Sequence, residues 1–104
     1  MAKFIYAYHG GQAPSSPEEG QKVMQAWMAW FGGMGDAVVD GGNPLGMSKT
    51  LTSGGVTDDG GANPVSGYSI VNAADMDAAV EMAKGCPMVA DGSGSVEIAE
   101  CLDM

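Results

Sequence analysis

Arginine is absent from this 104-residue chain, and its basic side chains are four lysines (Lys3, Lys22, Lys49, Lys84) and one histidine, His9, against thirteen acids. A net charge of −9 with no arginine argues against nucleic acid, whose phosphates are held by clustered Lys and Arg, and against anionic membranes. The simplest reading of the acidity is a well-solvated surface; an acidic docking surface is the alternative, and no long acidic run supports it. Cysteine is scarce too: Cys86 and Cys101 stand apart with no Cys-x-x-Cys pair, and Met1-Ala2-Lys3 leads into a strand-like run without a signal-peptide layout. A cytoplasmic location is expected. No apolar stretch approaches the ~20 residues of a membrane span. One histidine, two separated cysteines and scattered aspartates fit neither a zinc spacing nor a calcium loop, and Ser-His-Asp catalysis lacks a nucleophile elbow. No metal and no cofactor are expected.

What is there reads as one domain over residues 1–104, since 45% of positions are hydrophobic and the length suits a single core. Lys3 to His9 is rich in aromatic and branched residues and ends at Gly10-Gly11, as a strand closed by a turn does. Ser16-Pro17-Glu18-Glu19 carries a capping serine, a proline at the first helical position and a glutamate at the third. Val23, Met24, Trp27, Phe31 and Met34 follow at helical spacing until the glycines from Gly32 to Gly35. Ala37-Val38-Val39 is a short strand followed by turn chemistry, and Met47 to Ser53 reads as an extended hairpin arm with exposed loops. Tyr68 to Ala73 is a further strand. Asp75 caps a second helix that stops at Lys84-Gly85-Cys86-Pro87, and Ser95 to Leu102 closes the chain as a strand.

The order βαββαβ with right-handed crossovers predicts an α+β, ferredoxin-like antiparallel sheet with two helices on one face. In the first strand Phe4, Tyr6 and Tyr8 point one way while Ile5, Ala7 and His9 point the other, so neither face is made for water. Helices cover one face only. The other is expected to be covered by a second copy of the chain, making a homodimer, with a lid formed by the segment from Met47 to Asn63 as the competing explanation.

These segments together resemble the YCII-related family, including its branch of DGPF-domain proteins. The resemblance runs nearly end to end. It rests on Phe4-Ile5-Tyr6, on Pro17-Glu18-Glu19 with Ala29-Trp30-Phe31, and on Val39-Asp40-Gly41-Gly42-Asn43-Pro44-Leu45-Gly46. Gly67-Tyr68-Ser69-Ile70, the helix from Asp75 to Ala83, Gly85-Cys86-Pro87 and Gly94-Ser95-Val96-Glu97 complete it. It implies a dimeric α+β barrel in which two four-stranded sheets enclose a cavity, and it implies no particular reaction. The branch's Asp-Gly-Pro-Phe signature stands here as Asp59-Gly60-Gly61-Ala62. The histidine that enzyme-like members carry in the first helix, paired with an aspartate, has no counterpart between Ser16 and Gly35; Asp40 alone looks comparable.

His9, at the carboxyl end of the first strand, is the acid-base candidate near neutral pH, although a lone histidine there also suits a purely structural hydrogen bond. The topology sends His9, Asp40 and the start of the Tyr68 strand to one edge, with His9 and Asp40 roughly 10 Å apart across the intervening strand. A direct dyad is not expected; the arrangement left open is a small ligand with His9 and Asp40 on either side of it and Tyr68 or Ser66 between them. Asn43 sits in a loop, Asp40 to Pro44, that is echoed by Asp59 to Pro64. Either loop could offer backbone N–H groups to a ligand, or serve only as a turn, and neither has the context of a nucleotide-binding loop. Trp27, with Trp30 and Phe31, could line a pocket for an apolar ligand or belong to core and interface. Two functions stay open: a small enzyme using His9 and Asp40 for proton transfer, or a non-catalytic dimeric module that binds a metabolite.

Overall fold

The computed structural model describes residues 1–11 and 15–103. Four strands form the main sheet: β1 (Ala2–Gly10), β2 (Val38–Asp40), β5 (Val65–Ala73) and β6 (Gly94–Glu100). Two more, β3 (Thr50–Thr52) and β4 (Gly55–Thr57), form a separate hairpin. The helices are α1 (Pro17–Met34), α2 (Met76–Ala83) and the short α3 (Pro87–Ala90), with a 3-10 turn at Gly35–Ala37. The sheet order is β2-β5-β1-β6 with antiparallel neighbours, the α+β split-βαβ arrangement that the element order implies.

Strand alternation assigns the two faces. Phe4, Tyr6 and Tyr8 of β1 and Ser69, Val71 and Ala73 of β5 are buried, and they point at the helices. Tyr6 ties the layers together: its hydroxyl donates to the Ala79 carbonyl of α2 at 2.6 Å, and its ring stacks on Trp30 of α1 with centroids 6.0 Å apart. The other face carries Ile5, Ala7, Tyr68 and Ile70 near its middle, only half-buried, and no helix or strand among the described residues covers them.

The helix signals act where the sequence puts them. Ser16 accepts from the Glu19 amide at 3.1 Å, Pro17 takes the first helical position, and Asp75 accepts from the Ala78 amide at 2.8 Å. Cys86-Pro87, which reads as a stop, also starts α3, since a proline that cannot continue one helix is pre-set for the first position of the next. The arm is narrower than Met47 to Ser53 with loops. It is a hairpin pairing Leu51 with Val56, and every residue in both strands is exposed. It therefore does not lie over the open face as a lid. The arm makes the chain extended for its length: the radius of gyration is 14.8 Å, against about 13 Å for a compact chain of this size.

No helix among the described residues is long and apolar enough to cross a membrane.

Candidate functional site

One cavity, about 750 Å³, opens between α1 and the end of the sheet where β1 finishes and β5 begins. Its helix wall follows from the spacing of aromatic residues on α1. Trp30 turns fully inward and donates its indole N–H to the Met82 carbonyl at 2.9 Å, so it belongs to the core. Trp27, one turn earlier, is half-buried, meets Tyr8 edge to face at 5.0 Å and presents the rest of its ring to the cavity beside Phe31 and Met24.

The opposite wall is the loop from Gly41 to Leu45, pinned along β5. The Tyr68 amide donates to the Asn43 carbonyl at 3.3 Å, the Leu45 amide donates to the Ser66 carbonyl at 3.0 Å, and Pro44 bridges Gly67. Gly42 makes this possible. Its φ is +73°, and a Cβ there would lie 1.7 Å from the Tyr68 carbonyl oxygen, so only glycine fits. Asp40 shapes the turn by accepting from the Gly42 amide at 2.8 Å.

The floor is polar and fully satisfied. The Tyr8 hydroxyl donates to Ser69 Oγ at 2.8 Å, and the Ser69 hydroxyl donates to the Gly41 carbonyl at 2.7 Å, a relay linking β1, β5 and the loop. Ser66 donates to the Tyr8 carbonyl at 3.0 Å. Burial pushes the Tyr8 hydroxyl well above its ordinary value, outweighing the opposite pull of Ser69, so it stays neutral and able to donate. Burial likewise pushes Tyr6 up to about 12.

Of the residues singled out in the sequence, Trp27, Asn43, Ser66 and Tyr68 all line this cavity; His9 and Asp40 do not. His9 lies on the open face, its side chain 13% exposed. Its Nδ1 faces the Asn63 and Pro64 carbonyls at 2.9 and 3.2 Å, and its Nε2 meets Glu97 Oε1 of β6 at 3.0 Å. The carboxylate beside His9 is thus Glu97, not Asp40. The edge is also more spread out than topology alone implies. Asp40 pairs with Ile70, level with Ile5, while His9 pairs with Val65, so the two are about 13 Å apart along the strand direction alone. The irregularity between Val38 and Asp40 ends β2 early and frees the following residues to become the cavity wall.

The two similar loops do different jobs. Asp59 accepts from the Gly61 amide at 3.0 Å, the same turn that Asp40 makes with Gly42, yet only the first loop borders the cavity; the second supplies the carbonyls that hold His9. Three features escaped the sequence reading: the Tyr8–Ser69 relay, Glu97 as partner of His9, and Met88 of α3 on the cavity wall. A signal for the first exists, since Ser69 is the one hydroxyl in the buried alternation of Gly67, Ser69, Val71 and Ala73. No group of three or more metal-ligating His, Cys, Asp or Glu side chains gathers among the described residues.

The YCII-related domain matches residues 1–103 of the chain. No curated protein matches it. Among solved structures it is similar in fold to the 5-chloro-2-hydroxyhydroquinone dehydrochlorinase from Burkholderia phenoliruptrix AC1100, in complex with 2,5-dihydroxybenzoquinone. That likeness has a TM-score of 0.59 and 16% identity over 98% of this chain and 94% of the other, which is a likeness of fold.

Proposed function

Because this chain belongs to the YCII-related family, we propose that it works as a homodimer and binds a small, planar organic molecule in the cavity beside Trp27. The observation that carries the reading is the cavity's division into an aromatic wall (Trp27, Phe31) and a polar floor and rim (Tyr8, Ser66, Ser69, Asn43). An apolar pocket with a few convergent polar groups suits a ring with oxygen substituents, and 750 Å³ falls within the roughly 300–1,000 Å³ of small-molecule sites. The dehydrochlorinase of similar fold holds a molecule of this kind, 2,5-dihydroxybenzoquinone. The dimer rests on the open face of the sheet, whose half-buried Ile5, Ala7 and Ile70 have no covering helix or strand among the described residues.

Quenching of tryptophan fluorescence by hydroquinone and simple phenols tests the binding. Trp27→Ala is expected to weaken it about five- to thirtyfold, an aromatic contact and its buried area being worth ~1–2 kcal/mol. Equal affinity in the variant, with folding intact, places the ligand elsewhere.

A second reading, acid-base catalysis, draws on the set of His9. An imidazole anchored at Nδ1 by a backbone carbonyl has a fixed ring orientation, and here its Nε2 meets a largely exposed carboxylate, Glu97, on the face that a dimer would enclose. Asp40, committed to its turn, then acts through the loop rather than on a proton. Under this reading His9→Ala abolishes turnover of a bound ligand with folding intact, while Asp40→Asn lowers it only as far as it loosens the Gly41–Leu45 wall. Turnover indifferent to His9→Ala rules it out.

A further inference from the structure

The hairpin of β3 and β4 is exposed on both sides, yet its two sides differ. Antiparallel partners share a face, so Leu51 and Val56 stand together on one side and Thr50, Thr52 and Thr57 on the other. Leu51 is 77% exposed and Val56 62%. A hairpin of three residue pairs is marginal by itself in water, and an apolar side opposite a threonine side is the pattern of strands that pack on something.

The base of the arm holds it in one pose. Lys49 pairs with Asp58 at 3.2 Å, and the Thr50 hydroxyl donates to the Asp59 carbonyl at 2.7 Å. Gly60 is wedged so tightly that a Cβ there would lie 2.7 Å from that of Pro64 and 3.0 Å from that of Ser48. The molecule measures 43 × 43 × 20 Å, and its short dimension is the depth of one sheet and one helix layer. The arm therefore runs outward in the plane of the sheet and stands off neither face. It leaves the open face free and reaches past its own chain.

Size argues for what receives it. Four strands about 4.8 Å apart and about 20 Å long make an open face of roughly 400 Å², half of the ~800 Å² that each partner gives to a standard stable interface. The exposed Met24 and Met28 of α1 do not supply the rest, since α1 lies on the other side of the sheet. The arm does. It carries no charged residue from Thr50 to Thr57, in a chain whose net charge of −9 otherwise sets two copies against each other. We propose that in the homodimer each copy lays the Leu51–Val56 side of its arm against the partner subunit, so that two exchanged arms complete the interface that the open faces begin. This rests on the homodimer reading and assigns the arm within it.

Sedimentation equilibrium of the full chain gives the dimer dissociation constant. Leu51→Ser combined with Val56→Ser removes four apolar side chains per dimer and is expected to raise that constant about a hundred- to thousandfold. Thr57→Ser, on the other side of the hairpin, leaves it unchanged. In a mixture of isotope-labelled and unlabelled protein, the Leu51 and Val56 methyl groups are expected to show nuclear Overhauser contacts between copies. A wild-type monomer at micromolar concentration removes the homodimer and this proposal with it. A dimer that Ile70→Lys dissociates and the double arm variant does not keeps the homodimer and overturns the arm's part in it, leaving the arm to a different protein. Methyl contacts confined to one chain overturn it in the same way.

Discussion

At residue 42 the absence of a side chain decides whether the cavity has a second wall. Alanine there would put its methyl against the Tyr68 carbonyl and force a positive φ on a residue that resists it. Gly42→Ala is therefore expected to cost about 2–4 kcal/mol in urea unfolding, combining backbone strain with overpacking. Gly41→Ala, next door with open space around it, should be near neutral. Tyr6 gives a prediction in pH. Its hydroxyl is pushed up to about 12 by burial, so the unfolded chain releases that proton from about pH 10 while the folded chain holds it. The stability tied to the neutral hydroxyl is complete below pH 10 and is lost as pH climbs toward 12. Tyr6→Phe should cost about 1 kcal/mol at neutral pH, from the lost bond to Ala79, and should flatten the fall in stability above pH 10. An alkaline unfolding curve unchanged in the variant would mean that other groups set that limit.

At the scale of elements, the parts legible in the sequence are those whose cause is local. Helix α1 was readable because Ser16, Pro17 and Glu19 act within one turn, and Ser16→Ala is expected to lower the melting temperature by removing about 1 kcal/mol of capping. Strands β1 and β5 were readable from composition and alternation. The end of β2 was not, because its irregular pairing depends on where β5 lies beside it. Nor was α3 visible behind a proline that reads equally as a stop and a start. The candidate site divides along the same line. Trp27, Asn43, Ser66 and Tyr68 could be named by residue type and position, but bringing them around one space takes contacts between distant parts of the chain. The bonds from Tyr8 to Ser69 and from His9 to Glu97 span 61 and 88 positions, beyond the reach of any local pattern.

For the whole molecule the governing fact is a sheet that, among the described residues, carries helices on one side only. The first strand announces this, since Ile5 and Ala7 alternate with Phe4, Tyr6 and Tyr8 and leave no polar face. The arm at Thr50–Thr57 leaves the open face uncovered, so a second copy is the proposed cover. Light scattering after size exclusion should give twice the chain mass at micromolar concentration. Ile70→Lys, at the centre of that face, should shift the protein to monomer with its melting transition still cooperative. The central claim, a ring-binding cavity beside Trp27, is tested most directly by a crystal structure of the protein soaked in hydroquinone. The account predicts a ring packed against Trp27 with its oxygens toward Ser66 or the Asn43 loop. A ring bound instead on the open face beside His9, with the Trp27 cavity holding only water, would contradict it.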